Sequence, residues 1–264
     1  MTTEAQVRPK RFFVPDGDGY LPKGLTISPW RGDSMNGVAL GLIMSHALTA
    51  EPHYQAGHIA RFTLDILRPA PAQRTTVNWR VARDGRRVQL LEGELESGGV
   101  VAARASALIV APTPPFPEAR ANRPPPIPPQ DAPERAVIPA STGLETRLVA
   151  SRAEAADGRQ SLWVRVSADI VEGFPATALS TALAAADFGA SSMREYRKDW
   201  TSPNLDIAAH FSRTPRGEWV HSSFKPMALG SGVAVVDHVM SDLDGVFARA
   251  HQTLYFSRVK QAAA

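Results

Sequence analysis

The feature that most constrains this chain is a proline-rich stretch near its middle. Residues 112–133, PTPPFPEARANRPPPIPPQDAP, hold ten of the chain's 22 prolines. Proline lacks the amide hydrogen and clashes with the preceding turn, so such a composition runs neither inside a helix nor in a central strand. The stretch reads as a linker. In an extended form, at about 3.1 Å per residue, it reaches on the order of 70 Å, enough to cross a whole domain. It predicts two flanking units of nearly equal length, an N-terminal one over 1–111 and a C-terminal one over 134–264.

Equal flanks invite a search for an internal repeat. GVVAARASALIV (Gly99 to Val110) and GVFARAHQTLYF (Gly245 to Phe256) align without a gap, pairing Leu108 with Leu254 and Ser106 with Gln252. ILRPAP and FSRTPR form a second anchor, pairing Arg68 with Arg213 at nearly the same separation from the first.

Each flank shows the same order of elements. In the first, NGVALGLIMSHALT (Asn36 to Thr49) is apolar on nearly every side, which predicts a helix wrapped by sheet, with Asp33 or Ser34 as its N-cap. ARFTLDIL alternates Phe62, Leu64 and Ile66 against Arg61, Thr63 and Asp65, the pattern of a strand with one buried face. Further strands run through Val77, Trp79 and Val81, then to Gly98, then along the repeat itself. In the second, SLWVRVSADI reads as a strand, PATALSTALAAADFGASSM as the helix, and LDIAAHF, EWVHSSF, GVAVVDHV and GVFARAHQTLYF as strands.

Two polar residues stand out against this pattern. Asp187 follows the apolar run Ala182 to Ala186, and an ionised carboxylate is costly to bury unless paired or used. Gln252 shares its strand face with Val246, Ala248, Ala250, Leu254 and Phe256, a lone amide among apolar residues. Stepping back by the repeat offset from Asp187 lands near Leu42, so the first flank lacks the pair and one site is expected, with the first flank forming its wall.

Charge and composition narrow the classes. With 44% hydrophobic and 21% charged residues, the 264-residue chain can bury a sizeable core. There are no cysteines, which removes disulfides and thiolate chemistry and fits a reducing compartment. The seven histidines show no HExxH or HxH spacing, so no metal is expected. The net charge of +3 is spread along the chain, which speaks against nucleic acid. No apolar run approaches the roughly 18 residues of a membrane span, and MTTEAQVRPKRFF is not a signal sequence, so the expected location is the cytoplasm.

The motifs ADFG, HFSRTPRGEW and DGVFARAHQ, in this order and after LRPAP, resemble the double hotdog acyl-CoA thioesterases, the thioesterase II-like family of bacteria. The resemblance covers most of the chain outside the first dozen residues and the linker. It implies an α+β fold of two hotdog repeats, each a long apolar helix wrapped by a curved antiparallel sheet, and hydrolysis of an acyl-CoA or acyl-carrier thioester without a cofactor. It also implies three catalytic residues that activate water. The acid falls on Asp187, the amide on Gln252, and the position usually held by a threonine or similar residue on Asn204, which has no hydroxyl. Asn204 lies just before its strand, opposite in parity to Leu205, Ile207 and Phe211. Further self-assembly is common in that family, so a homo-oligomer is a further expectation.

Three other readings are weighed against this one. GDSM (Gly32 to Met35) suggests a serine hydrolase, but no GxSxG elbow is present. Hotdog hydratases and dehydratases pair an Asp with a His, and none follows Asp187 closely. A non-catalytic acyl-thioester-binding protein would need no hydroxyl at Asn204.

Overall fold

The computed structural model describes residues 10–29, 31–55, 57–114, 127–196 and 199–258. In chain order these form β1 (Arg11–Asp16), β2 (Gly19–Pro22), α1 (Gly37–Thr49), α2 (Pro52–Gln55), β3 (His58–Ile66), β4 (Thr75–Asp84), β5 (Val88–Ser97) and β6 (Val100–Val110). After the proline-rich stretch come β7 (Leu144–Ala150), β8 (Gln160–Val166), β9 (Asp169–Val171), α3 (Ala178–Ala186) and a 3-10 segment (Asp187–Tyr196). The chain continues through β10 (Trp200–Thr201), β11 (Asn204–Phe211), β12 (Val220–Gly230), β13 (Val233–Asp242), β14 (Gly245–Tyr255) and β15 (Ser257–Arg258).

Thirteen strands share one sheet in the order β7-β8-β12-β13-β14-β11-β3-β6-β5-β4-β2-β1-β9. Its middle is the antiparallel pair β11–β3, which couples strands from either side of the linker. The sheet must also curl back on itself. Strand β8 ends at Val166 near one edge and β9 begins at Asp169 on the other, too few residues to cross a flat sheet of this width. Strand β9 pairs there with β1, so SLWVRVSADI is not one strand but two, parted to opposite edges.

Helices α1 and α3 pack inside this curl. Seven consecutive residues of α1, Ala39 to Ser45, are buried, which takes in every side of a helix at 100° per residue. Gly37 lies beside Asp187, Gly41 beside Leu183, and Ser45 Oγ donates to Ser180 Oγ at 3.1 Å, so the two helices run antiparallel. The N-cap of α1 is Asn36, not Asp33 or Ser34: Asn36 Oδ1 accepts from the Ala39 amide at 2.8 Å. Asp33 instead pairs with Arg31, and Ser34 bridges to Pro71. The second helix is shorter than PATALSTALAAADFGASSM suggests. It ends at Ala186, and the glycine- and serine-bearing sequence beyond it tightens into the 3-10 segment.

Of the proline-rich stretch, residues 115–126 lie outside the described residues. Its later part docks on β7 and β8, where Trp163 Nε1 donates to the Ile127 carbonyl at 2.9 Å and Arg147 to that of Pro129 at 2.6 Å.

Candidate active site

The structure brings Asp187, Asn204 and Gln252 together at the N-terminus of α1. Asp187 is the C-cap of α3, so its backbone is fixed by bonds to the Ala184 and Ala185 carbonyls while its side chain projects past the helix end. Asn204 Nδ2 donates to Asp187 Oδ1 at 2.6 Å. Gln252 Nε2 donates to the Asp187 carbonyl at 3.2 Å and, more weakly, to Oδ1 at 3.4 Å. Asp187 Oδ2 accepts no bond from the described residues and is the oxygen left to act.

Gln252 faces inward as its alternation requires. It is fully buried, between Ile207 on β11 and Val236 on β13. Asn204 departs from the sequence parity for an identifiable reason. It is the first residue of β11, and the register slips between Asn204 and Asp206, leaving Leu205 bulged and exposed. One extra residue inverts the facing of everything before it. Asn204 therefore turns toward Asp187 while Ile207 keeps its place in the core.

Ser106 is not the counterpart of Gln252. On β6 beyond Ala102 the buried residues are Ala103, Ala105, Ala107 and Ile109, and Ser106 faces outward, where it bonds Thr63 Oγ1 at 2.8 Å. The gapless alignment fails because the bulge on β6 follows Val101 and that on β14 follows Val246, one residue apart in the aligned frame.

Sequence reasoning did not place Gly37 in the site. A Cβ there would stand 2.6 Å from Asp187 Oδ1 and 3.2 Å from its Cγ, so only glycine admits the carboxylate to the start of α1. Among the described residues the amides of Gly37 and Val38 carry no hydrogen bond, and the positive end of the 13-residue helix lies behind them. Asn36 followed by Gly37 before an apolar run was the available signal, since glycine is an unfavourable choice where alanine would serve.

Burial dominates the electrostatics. Desolvation pushes the Asp187 carboxyl up from 3.8 to about 7, and the Asn204 hydrogen bond works against that rise. Elsewhere His221 is pushed down to about 4 and His238 to about 3 by burial, so both imidazoles are neutral. Among the described residues no cluster of three or more His, Asp or Glu side chains is arranged to hold a metal ion. None of their helices is long and apolar enough to cross a membrane.

The family model of the acyl-CoA thioesterase C-terminal domain matches residues 117–256, and that of the acyl-CoA thioesterase N-terminal domain matches residues 26–110. No curated protein matches the chain. Among solved structures it is similar to a hot dog fold protein of unknown function from Alicyclobacillus acidocaldarius, at 17% identity over 96% of each chain with a TM-score of 0.73. It is also similar to an acyl-CoA thioesterase II, TesB2, from Mycobacterium marinum, at 18% identity over 94% of this chain and 96% of that one, with a TM-score of 0.66. The fold is thus a hotdog fold dominated by sheet. The chain belongs to the acyl-CoA thioesterase family.

Proposed function

With that family as premise, we propose that the protein hydrolyses an acyl-CoA thioester at a single site in which Asp187 is the general base, Gln252 and Asn204 orient it, and the start of α1 receives the carbonyl oxygen. The observation that carries this reading is the pair of side-chain amides on Asp187 Oδ1, which leaves Oδ2 free beside unbonded helix amides. Oδ2 takes a proton from a water molecule as that water's oxygen bonds to the thioester carbon. The carbonyl oxygen becomes an oxyanion, and the amides of Gly37 and Val38 are donors aimed where its charge develops. Collapse of the tetrahedral intermediate breaks the carbon–sulfur bond. The proton held by Asp187 passes to the departing thiolate, and free acid and CoA result. No cofactor is needed for this sequence of steps.

We further read the chain as two hotdog units, 1–111 and 134–264, joined by 112–133. Support comes from the antiparallel packing of α1 on α3 and from bulges at Ala60 and Leu205 that share the offset of Arg68 and Arg213. On that correspondence Asn204 answers to Ile59 and Gln252 to Ala107, both buried. Aligning the helix starts, Gly37 with Ala178, sets His46 rather than Leu42 opposite Asp187. The second position has no carboxylate and no amide, so the chain carries one active site. The first unit supplies more than a wall, because α1 belongs to it.

The test is release of free CoA thiol over a panel of short, medium and long acyl-CoA substrates. Turnover lost in Asp187→Asn supports hydrolysis. Tight acyl-CoA binding without turnover, unchanged in that variant, would leave the non-catalytic binding reading in its place.

A further inference from the structure

His238 and Gln252 are diagonal neighbours on the inner face of the sheet. Val236 stands opposite Gln252 and His238 opposite Ala250, so the two lie on one face two residues out of step. That separation is within reach of two long side chains. Both residues are fully buried.

The ring of His238 is held on two sides. It stacks on Phe224 with centroids 4.9 Å apart, and Ser222 Oγ lies 3.1 Å from its Nδ1. Among the described residues the Ser222 side chain has no other partner; with its hydroxyl donating to Nδ1, the ring proton sits on Nε2. Among the described residues His238 Nε2–H is then a buried donor without an acceptor, and Gln252 Oε1 is a buried acceptor without a donor. Buried polar atoms are rarely left unpaired, and one interior water satisfies two at once.

We infer that His238 is a positioning residue: its Nε2–H serves Gln252 Oε1 through one bound water, and so decides which end of the Gln252 amide faces Asp187. The two ends of an amide are nearly equal in shape and opposite in hydrogen-bonding character. Turned over, Gln252 would present Oε1 to Asp187 Oδ1 and to the Asp187 carbonyl, acceptor against acceptor. With Oε1 claimed by a donor on the far side, Nε2 is left to hold Asp187. This inference rests on the proposed role of Gln252 in the site.

The experiment reads the Gln252 side-chain amide directly, by ¹⁵N–¹H spectra of glutamine-labelled full-length protein, the signal pair being assigned by its absence in Gln252→Ala. In His238→Leu the pair is expected to shift and its protons to exchange faster with solvent. His238→Gln, which restores an N–H donor at that reach, is expected to return it toward the wild-type position. Ser222→Ala, which frees the ring to adopt the other tautomer, gives the same change in smaller degree and carries the test should His238→Leu not fold. A Gln252 signal indifferent to the folded variants overturns the inference. In acyl-CoA turnover, kcat falls roughly 10-fold in His238→Leu while KM stays within about 2-fold, with partial recovery in His238→Gln. A wild type that shows the spectral coupling but no turnover would sink the thioesterase reading and leave the positioning role standing; turnover without the coupling would do the reverse.

Discussion

Gly37 opens helix α1 directly against the carboxylate of Asp187, so closely that a methyl group on Gly37 would stand 2.6 Å from Oδ1. The two residues lie on either side of the proline-rich stretch, and the site exists only because α1 and α3 pack antiparallel. Gly37 is not left-handed, so alanine there meets no backbone strain and is the better helix former. Gly37→Ala is therefore expected to keep or slightly raise the melting temperature while displacing Asp187. Activity should fall about 10- to 100-fold, the scale of a misplaced catalytic group. Paired thermal melts and acyl-CoA assays check this, and a loss of activity explained by unfolding would refute it.

Asp187 costs the fold stability when it ionises. Its folded pKa of about 7 lies above the unfolded value of 3.8, so the folded state binds the proton more tightly. That contribution is fully present below pH 3.8 and is lost as pH rises through about 7. At about 1.4 kcal/mol per unit, the loss is at most about 4 kcal/mol. Asp187→Asn keeps a neutral, similarly shaped side chain at every pH. It is expected to be more stable than wild type at pH 8 in denaturant titrations, with the difference shrinking toward zero near pH 4. Activity should nevertheless fall by about 10²- to 10⁴-fold, the range of a lost general base.

The same carboxyl sets the pH dependence of turnover. On the proposed mechanism Asp187 acts in its ionised form, so kcat/KM should rise with pH and level off above an apparent pKa of about 7. Asn204 donates to Oδ1 and favours the charged form. Asn204→Leu removes that donor, and the rising limb should move to higher pH. A limb that moves to lower pH, or stays in place, would show that the Asn204 amide does not hold Asp187.

What the sequence makes legible is set by whether the signal is local. The apolar run of α1 and the lone amide on β14 are read from neighbours in the chain, and both stand where their periodicity puts them. Gly37 is invisible by that means, because the side chain it makes room for is on another helix. Asn204 is a subtler case. Strict alternation turns it away from the core, and one bulged residue, Leu205, turns it back. The pairing of Ser106 with Gln252 fails differently: β6 and β14 each carry a bulge at their third residue, Ala102 and Phe247, and the gapless alignment sets these one residue out of step. Asp187 is legible as an acid out of place, but its position past the last turn of α3, where a side chain can leave the helix, is not.

Gly189 offers a way to move Gln252 without touching it. Its backbone is not left-handed, yet a Cβ there would collide with Gln252 Oε1. Gly189→Ala is thus expected to displace the amide from Asp187 with no backbone strain of its own. Gln252→Ala removes the amide outright and leaves a space in which the Gly189→Ala methyl group can sit. Each single variant should lower kcat by about 10- to 100-fold, the lower part of the range for a lost catalytic interaction. If both act on the one contact, the double variant should be no slower than Gln252→Ala, because the methyl group then has nothing left to displace. Additive losses in that cycle would mean that Gly189 serves the site by some route other than Gln252.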